Sequence, residues 1–235
     1  MKKILAVVLI ACNEEMNISA MVQGLISRYM QEILEIVVVN DNSTDTTAEV
    51  VRALQKVYPN LKLIIRKAPC GVGRALRDGF RAVSPEAEYI LSMDSDFITN
   101  IPDVASLIAK IEEGYDGVIG SRYIQGGRLV NYPVVKKAVN RLFHFAVRVL
   151  CGIRCHDLSN NFKLYRKKLF QELPYRSDDF AMNVETGLMP HLFGYRIAEV
   201  PVSSTGRTAG MGKSKFRFLR FFGSYLVVLA RLAKK

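Results

Sequence analysis

The sequence is poor in acidic residues and in cysteine. It has 22 Asp plus Glu against 33 Lys plus Arg, a formal net charge of +11 that favours anionic partners such as phosphates, nucleic acid or an acidic membrane surface. Its four cysteines do not have the spacing of a small disulfide scaffold, which favours a reducing compartment. Cys151, Cys155 and His156 could form half of a zinc site, but no second pair of ligands follows them.

Low-complexity linkers and evident repeats are also missing between residues 3 and 120, where short apolar runs alternate with longer amphipathic stretches. The predicted strands are residues 4–10, 35–39, 61–65, 89–93 and 117–119, and the predicted helices are residues 18–29, 46–57, 73–83 and 104–112. The alternation predicts a mainly parallel sheet covered on both faces, in which ligands bind beyond the carboxyl ends of the strands.

The first apolar run has two interpretations. Met1-Lys2-Lys3 followed by ILAVVLIAC resembles a short secretory leader that ends at a lipoprotein-type cysteine. A buried first strand is favoured, because the run is short and passes directly into Asn13-Glu14-Glu15 and a helix-like pattern.

Polar clusters follow three of the predicted strands, at 13–15, 40–43 and 94–96. In the last of them, Asp94 and Asp96 stand one residue apart after an apolar strand. Two carboxylates this close repel each other unless a cation or strong donors compensate, and a hard divalent ion can also hold a diphosphate. The alternatives are a solvated turn at 94–96 and a helix cap at Ser43-Thr44-Asp45.

Glycines open the predicted helix after residue 70. The segment Gly71-Val72-Gly73 permits close backbone packing, a turn or a phosphate at the helix start. Packing or a turn is favoured, because a lone Gly-x-Gly is weak evidence for phosphate.

A basic helix is predicted after the Gly126-Gly127 turn. Its expected apolar face is Val135, Val139, Leu142, Ala146, Val149 and Leu150. Lys136, Lys137, Arg141 and Arg148 lie elsewhere on the helix, either in solvent or against lipid phosphate.

The C-terminal stretch 216–232 reads FRFLRFFGSYLVVLARL. A bilayer span needs about 20 continuous apolar residues, and Arg217, Arg220 and Gly223 interrupt this one. The segment is therefore expected not to span a membrane. Its alternatives are a basic interfacial helix and a terminal helix packed on the domain.

An ordered set of motifs identifies a resemblance to a known family. In chain order the motifs are IACNEE, VVVNDNSTDTT, CGVGRALRDGF, ILSMDSD, GSRYIQGG, DLSNNFKLYRK, GYRIAEVPV and the stretch from Arg207 to Lys215. Together they resemble family-2 glycosyltransferases of the dolichol-phosphate mannosyltransferase type, over roughly residues 3–215.

The resemblance implies an α/β GT-A fold in residues 1–212 and a membrane-interfacial helix in residues 213–235. It implies a nucleotide-sugar donor, GDP-mannose first, a polyprenyl phosphate acceptor, Mg²⁺ or Mn²⁺, and an inverting displacement. It further implies a peripheral position on the cytoplasmic face of an anionic membrane and leaves room for a small membrane-protein partner. Nucleic acid is not expected as a partner.

The same resemblance implies roles for individual residues. Catalytic roles fall on Asp94, Asp96, Arg122, Arg207 and Lys215. The nucleotide-sugar contacts are Ile10, Cys12, Glu14, Asp41, Asp94, Ser95, Asp96 and Arg207, with Asp94 and Asp96 also holding the metal. The acceptor phosphate contacts are Arg122, Lys136, Asn140 and Lys213.

Several positions depart from the family pattern. Ile98 stands where a polar residue is common, and Lys136 and Asn140 replace an arginine and a serine. Lysine keeps the charge but loses bidentate phosphate geometry. Lys213 and Lys215 compete for one phosphate-binding role, and Glu185 is interpreted either as an acceptor-side residue or as a helix-surface glutamate.

Three other functions compete with the leading one. The first is transfer of glucose, N-acetylglucosamine or another sugar to a lipid-linked or saccharide acceptor. The second is a catalytically silent nucleotide-sugar binder, which the departures at Ile98 and Lys136 permit. The third is a nucleic-acid-binding protein, which would leave the acidic strand-end clusters unexplained.

Overall fold

The computed structural model describes residues 4–132 and 134–205, with helical residues Gly223, Tyr225 and 227–229 near the C-terminus. Nine strands are described: β1 Leu5–Ala11, β2 Ile33–Asp41, β3 Leu61–Arg66, β4 Tyr89–Asp94, β5 Gly117–Ser121, β6 Arg128–Val130, β7 Lys163–Arg166, β8 Ile197–Pro201 and β9 Ser203–Thr205. Seven α-helices are described: α1 Ile18–Tyr29, α2 Thr47–Gln55, α3 Val72–Ala82, α4 Val104–Glu112, α5 Val134–Cys151, α6 Lys167–Gln171 and α7 Ala181–Leu192.

Seven of these strands form one sheet in the order β3-β2-β1-β4-β7-β5-β8. All neighbouring pairs are parallel except those made by β7, which runs antiparallel to both β4 and β5. The predicted α/β class and mainly parallel sheet are confirmed. The strand interpretation of the first apolar run is also confirmed, since β1 is central and all its residues are buried.

The core lies on both faces of this sheet because strand residues alternate in direction. Ala6, Val8 and Ile10 pack in one apolar cluster with α3, α6 and α7. Leu5, Val7, Leu9 and Ala11 pack in the other cluster with α1, α2 and α4. The carboxyl ends of β1, β2, β4 and β5 remain at one edge of the sheet, where connecting loops begin.

The prediction of which side of the basic helix is buried is wrong. Leu142, Val149 and Leu150 of α5 are 67%, 65% and 71% exposed, whereas Phe143 and Val147 are buried. Residues four apart share a helix face, and α5 carries two apolar stripes. The stripe with Phe143 is covered, in part by the ring of Tyr225 at a centroid distance of 5.1 Å.

The described C-terminal residues support the packed-helix alternative, because Tyr225, Val228 and Leu229 are buried in the cluster that contains Phe143. The rest of the predicted interfacial helix, and its boundary at residue 212, lie outside the described residues. In the part of the chain that the structure describes, no helix is both long enough and apolar enough to cross a bilayer.

Candidate active site

The strand register brings the predicted acidic clusters to one edge. Ile10 at the end of β1 pairs with Asp94 at the end of β4, and Ala11 pairs with Asn40 at the end of β2. Asp41 follows directly and pairs with Arg66 of β3. Neighbouring strands lie about 4.8 Å apart, so Asp94 and Asp41 lie on either side of the β1 terminus.

The tripeptide after β4 is held by its middle residue. Ser95 is buried, and its hydroxyl donates to the carbonyl oxygen of Ile10 at 2.9 Å. Asp94 and Asp96 on either side of it are only partly buried. The side chain of Ile10 belongs to the core, so its contribution at this edge is the carbonyl that anchors Ser95.

Asp94 is oriented by a residue that the sequence analysis did not single out. The amide of Asn161 donates to Asp94 Oδ1 at 2.7 Å, and Ser92 Oγ donates to Asn161 Oδ1 at the same distance. The antiparallel direction of β7 explains the contact, because its first residues enter the sheet where β4 ends. The three side chains form one chain of hydrogen bonds from the buried Ser92 to the partly buried Asp94.

The donor chemistry here fits a hard divalent cation. Asp94 and Asp96 supply carboxylate oxygens, and no group of three His, Cys, Asp or Glu suited to a metal occurs among the described residues. Magnesium in such sites is commonly held by one or two carboxylates plus substrate phosphates. Ile98, the departure from the family pattern, packs against the apolar cluster below the loop.

Asp41 is buried, and both of its carboxylate oxygens already have protein partners. Its Oδ1 pairs with Arg66, and its Oδ2 accepts the backbone N–H of Gly71 at 2.8 Å. A carboxylate has about four acceptor sites, so these contacts leave capacity for a nucleotide. They also tie the end of β2 to the start of α3.

The glycines at that start are required by packing, as predicted. A Cβ on Gly71 would lie 2.3 Å from the carbonyl oxygen of Asp178, and one on Gly73 would lie 2.0 Å from that of Ser177. Asp178 also pairs with Arg74 at 2.7 Å. The segment 177–178 therefore closes over the amino end of α3.

The polar cluster at 13–15 binds the segment 43–47, at the start of α2. Asn13 Oδ1 accepts the N–H of Thr44 at 2.8 Å, and the N–H of Glu14 donates to Thr47 Oγ1 at 2.9 Å. Asp45 accepts the N–H of Thr47 at 3.0 Å, which confirms a helix-start role for this segment. Glu14 is buried and accepts from Asn17, while the neighbouring Cys12 is partly buried.

Arg122, after β5, is bound to Asp157. Its Nε and Nη2 donate to the two carboxylate oxygens of Asp157 at 2.6 and 2.8 Å, and its backbone N–H donates at 3.0 Å. Burial alone would raise the pKa of Asp157, but the guanidinium holds it below its ordinary value. The predicted phosphate-binding arginine thus sits in a largely buried, charge-neutral pair.

Asn140 lies close to this pair. Its amide donates to Tyr123 Oη at 2.8 Å, and the Tyr123 ring lies 5.7 Å from the guanidinium of Arg122. Two strand spacings, about 10 Å, separate the ends of β4 and β5. The structure therefore places Asp94 and Ser95 in the middle of the edge, with Asp41 two strands away on one side and Arg122 with Asn140 two strands away on the other.

The sequence matches a known protein family. The family model described as "Glycosyl transferase family 2" matches residues 6–174, well over half of the chain. The chain belongs to glycosyl transferase family 2. It is therefore a glycosyltransferase.

Two curated relatives in the family are also similar. A "Polyprenol monophosphomannose synthase" from Mycolicibacterium smegmatis is 25% identical over 77% of this chain and 70% of its own length. A "Dolichol-phosphate mannosyltransferase" from Pyrococcus furiosus is 28% identical over 92% of this chain. The chain spans 61% of the length of that second relative.

The solved structures agree on the fold. Glucosyl-3-phosphoglycerate synthase from Mycobacterium tuberculosis, crystallised with Mn²⁺, UDP-glucose and phosphoglyceric acid, superposes with a TM-score of 0.72 at 20% identity. The match covers 99% of this chain and 80% of that one. At this identity the likeness shows the fold alone, which is the α/β GT-A fold that the resemblance implied.

Several site residues implied by the resemblance are not described. Arg207, Lys213 and Lys215 lie outside the described residues, as does the side chain of Lys136. Their roles stay predictions.

The sequence analysis missed three buried polar residues of this glycosyltransferase and left a fourth ambiguous. Asp157, Asn161 and Lys163 lie within the DLSNNFKLYRK motif but were not singled out as site residues. Glu185 was given a helix-surface alternative, which is wrong, because it is fully buried and its Oε2 accepts the N–H groups of Arg176 and Ser177 at 2.9 and 2.7 Å. For Lys163 and Glu185, the available signal was a charged residue in a mostly apolar run.

Proposed function

We propose that this glycosyltransferase moves mannose from GDP-mannose to a polyprenyl phosphate with inversion at the anomeric carbon. The observation that carries the proposal is the arrangement after β4, where Asp94 is fixed by Asn161 beside Asp96. The names of the two sequence relatives support the mannosyl group and the lipid phosphate.

The nucleotide-sugar lies along the edge formed by β1, β2 and β4 in this proposal. Glu14 and Asp41 contact the nucleoside beside Cys12, and Asp94 and Asp96 face the diphosphate through Mg²⁺ or Mn²⁺. When bound, the cation neutralises the charge that develops on the departing diphosphate. The Mn²⁺ in the structural neighbour is consistent with that assignment.

The chemical step needs little proton transfer. An oxygen of the acceptor phosphate forms the new bond to the anomeric carbon, while the bond from that carbon to the nucleoside diphosphate breaks and its electron pair leaves with the diphosphate. The acceptor oxygen is already ionised near neutral pH, so no strong general base is required. What the protein supplies is alignment and screening of negative charge.

Basic residues supply that screening in the proposal. Arg122 lies next to the acceptor, held in place by Asp157. Lys136, Asn140 and Lys213 are assigned to the acceptor phosphate, and Arg207 with Lys215 to the donor and acceptor phosphates together.

A peripheral position on the cytoplasmic face of a membrane completes the proposal. The net charge of +11 would favour an anionic lipid surface. The exposed apolar residues of α5 are suited to the same surface, and a small membrane-protein partner is compatible with them.

The test is transfer of label from a panel of radiolabelled GDP- and UDP-sugars, with Mg²⁺ or Mn²⁺, to a short-chain isoprenyl phosphate. A matched isoprenol without phosphate and a set of saccharides serve as alternative acceptors. Cation-dependent labelling of the isoprenyl phosphate by GDP-mannose is expected. Labelling of a saccharide instead, or by another nucleotide-sugar alone, would overturn the acceptor or the donor assignment respectively.

A further inference from the structure

A charged residue stands at a core position of the edge strand β8. Side chains alternate between the two faces of a sheet, and Ala198 and Val200 belong to the apolar cluster of α1, α2 and α4. Glu199 between them therefore points to the opposite face, where Ile197 packs against the cluster of α3, α6 and α7. The Glu199 side chain is only 11% exposed. A carboxylate at such a position is costly unless hydrogen-bond donors surround it.

The donors come from one segment, residues 156–157 in the loop before β7. Glu199 Oε1 accepts the backbone N–H of His156 at 3.0 Å and that of Asp157 at 3.1 Å. Its Oε2 lies 3.0 Å from the same backbone nitrogen of His156 and 2.8 Å from Nδ1 of the His156 ring. An ionised carboxylate is an acceptor only, so Nδ1 is the donor in this contact. One side chain of β8 thus holds two consecutive backbone N–H groups and a ring.

The segment held by Glu199 in turn holds Arg122. The carboxylate of Asp157 accepts the backbone N–H of Arg122 at 3.0 Å and also accepts its guanidinium. Glu199 fixes the backbone of Asp157 through its N–H, and the Asp157 carboxylate fixes both the backbone and the side chain of Arg122. Three distant parts of the chain are therefore linked in series, from β8 through the loop before β7 to the end of β5.

The sheet contains a second buried glutamate that holds a loop. Glu35 of β2 is 3% exposed, and its carboxylate accepts the N–H of Ser84 at 2.6 Å and Ser84 Oγ at 2.8 Å. It pairs with Ala6 near the amino end of β1, at the edge of the sheet opposite to Arg122. Glu35 therefore offers a matched comparison, a glutamate with the same kind of contact and no link to Arg122.

We propose that Glu199 is a positioning residue for the transfer reaction, which fixes the 156–157 segment so that Asp157 presents the Arg122 guanidinium to the acceptor. The proposal rests on the proposed function, in which Arg122 lies next to the acceptor phosphate. Glu199 acts through Asp157 and does not itself contact the substrates. The length of its side chain matters more than its charge, because length places an oxygen within reach of both backbone N–H groups.

The first test follows amide hydrogen exchange at Arg122, His156 and Asp157 by NMR. Glu199→Met removes the acceptor and keeps the length of the side chain, so it should speed exchange at all three N–H groups by about tenfold or more. Glu35→Met is the matched control. It should speed exchange at Ser84 instead and leave the Arg122 rate within about twofold of wild type.

Two conservative variants separate the length of the Glu199 side chain from its charge. Glu199→Gln keeps an oxygen acceptor at the same distance and should retain slow exchange at Arg122. Glu199→Asp keeps the charge but shortens the side chain by one methylene group, so it should resemble Glu199→Met. The Asp variant also carries the test if Glu199→Met does not fold.

The second test measures KM and kcat for mannosyl transfer to a short-chain isoprenyl phosphate. Glu199→Met and Glu199→Asp should raise the KM for the isoprenyl phosphate about tenfold and leave the KM for GDP-mannose within about twofold of wild type, because Arg122 meets only the acceptor. Glu35→Met should change neither KM. An equal rise of both KM values in the Glu199 variants would show a general effect on the fold and overturn the positioning role.

Slow exchange at Arg122 in both Glu199→Met and Glu199→Asp would also overturn it, as would exchange in Glu199→Gln as fast as in Glu199→Met. If exchange at Arg122 quickens as expected but wild type transfers no sugar to the isoprenyl phosphate, the link from Glu199 to Arg122 stands and the proposed function fails. If wild type transfers the sugar and the Glu199 variants share its acceptor KM, the proposed function stands and the positioning role fails.

Discussion

The guanidinium of Arg122 forms two hydrogen bonds with the carboxylate of Asp157, at 2.6 and 2.8 Å, inside the protein. An arginine placed this way is rigid and electrically balanced. Its contribution near the transfer site is therefore a fixed set of N–H groups and a fixed position for Tyr123, which follows it in the chain.

Asp157→Asn should destabilise the fold. It leaves the Arg122 charge buried and uncompensated, which costs about 3–5 kcal/mol in comparable pairs. Asp78→Asn, which removes one partner of the more exposed Arg66 contact, should cost less than about 1 kcal/mol. Urea unfolding of both variants measures the difference, and equal losses would contradict the burial argument.

The same pair predicts an acid dependence. The pKa of Asp157 is lowered in the folded state, so its stabilising contribution is complete above the pKa of the unfolded chain, about 3.9, and declines as pH falls through the lower folded value. The unfolding free energy of wild type should therefore drop more steeply below pH 4 than that of Asp157→Asn. Parallel curves would contradict the assignment.

Lys163 predicts a further rise of the unfolding free energy with pH, at neutral to alkaline pH. Burial lowers its pKa to about 7, while its Nζ donates to the carbonyl of Asn183 at 2.8 Å and to Thr186 Oγ1 at 3.0 Å. Between that value and about 10.4, the pKa of an unfolded lysine, the unfolded chain binds one proton more than the folded chain. The unfolding free energy should therefore rise with pH, by up to about 1.4 kcal/mol per unit.

Urea unfolding at pH 7 and pH 9 checks this. Lys163→Met should remove the rise, whereas Lys110→Met, at a lysine paired with Glu113 on the surface of α4, should retain it. A rise that persists in Lys163→Met would show that another group causes it.

Asn161→Ala should weaken the cation site without unfolding the chain. Loss of the amide that orients Asp94 is expected to lower cation affinity or kcat/KM by about tenfold to a hundredfold, as in other sites where a supporting hydrogen bond to a ligand is removed. A titration of activity with Mg²⁺ measures it. Asn60→Ala, whose amide contacts the backbone at the opposite end of the sheet, is the control and should behave as wild type.

Glu185→Gln should act on nucleotide-sugar binding. The carboxylate of Glu185 accepts the N–H groups of Arg176 and Ser177. The carbonyl of the next residue, Asp178, accepts the N–H of Gly73 at 3.0 Å. Gly71, at the same helix start, donates its N–H to Asp41. Weakening the first contact loosens the last. We expect the KM for the nucleotide-sugar to rise several-fold, by roughly 1 kcal/mol, with kcat nearly unchanged.

The exposed Glu172→Gln is the matched control for that variant. A fall in kcat with an unchanged KM would instead place Glu185 near the reacting atoms, on the acceptor side.

Much of the sheet could be predicted because buried parallel strands are continuous apolar runs. The runs that became β1, β2, β4 and β5 end within two residues of the predicted positions. The acidic residues after them could be placed at one edge for the same reason, since parallel strands end on the same side.

Elements set by long-range contacts could not be predicted. Strand β7 begins with Lys163, a charged residue that is typical of a loop. The structure buries its amine, which donates to the carbonyl of Asn183 and to Thr186 Oγ1, inside the sheet. The buried side of α5 was predicted wrongly because both of its stripes are apolar, and they differ only in long-range packing, such as that of Tyr225 on Phe143. The pairing of Arg122 with Asp157 spans 35 residues and leaves no local signal.

One assay tests the role of Asp96 in cation-dependent transfer most directly. It measures mannosyl transfer from radiolabelled GDP-mannose to a short-chain isoprenyl phosphate at increasing concentrations of Mg²⁺ or Mn²⁺. The proteins compared are wild type, Asp96→Asn and the surface variant Glu113→Gln. Wild type and the surface variant should give the same cation-dependent lipid product. Asp96→Asn should lose roughly a hundredfold or more in kcat/KM, the cost of removing a group that stabilises transition-state charge. Transfer by Asp96→Asn at the wild-type rate, or transfer that does not depend on a cation, would contradict the site.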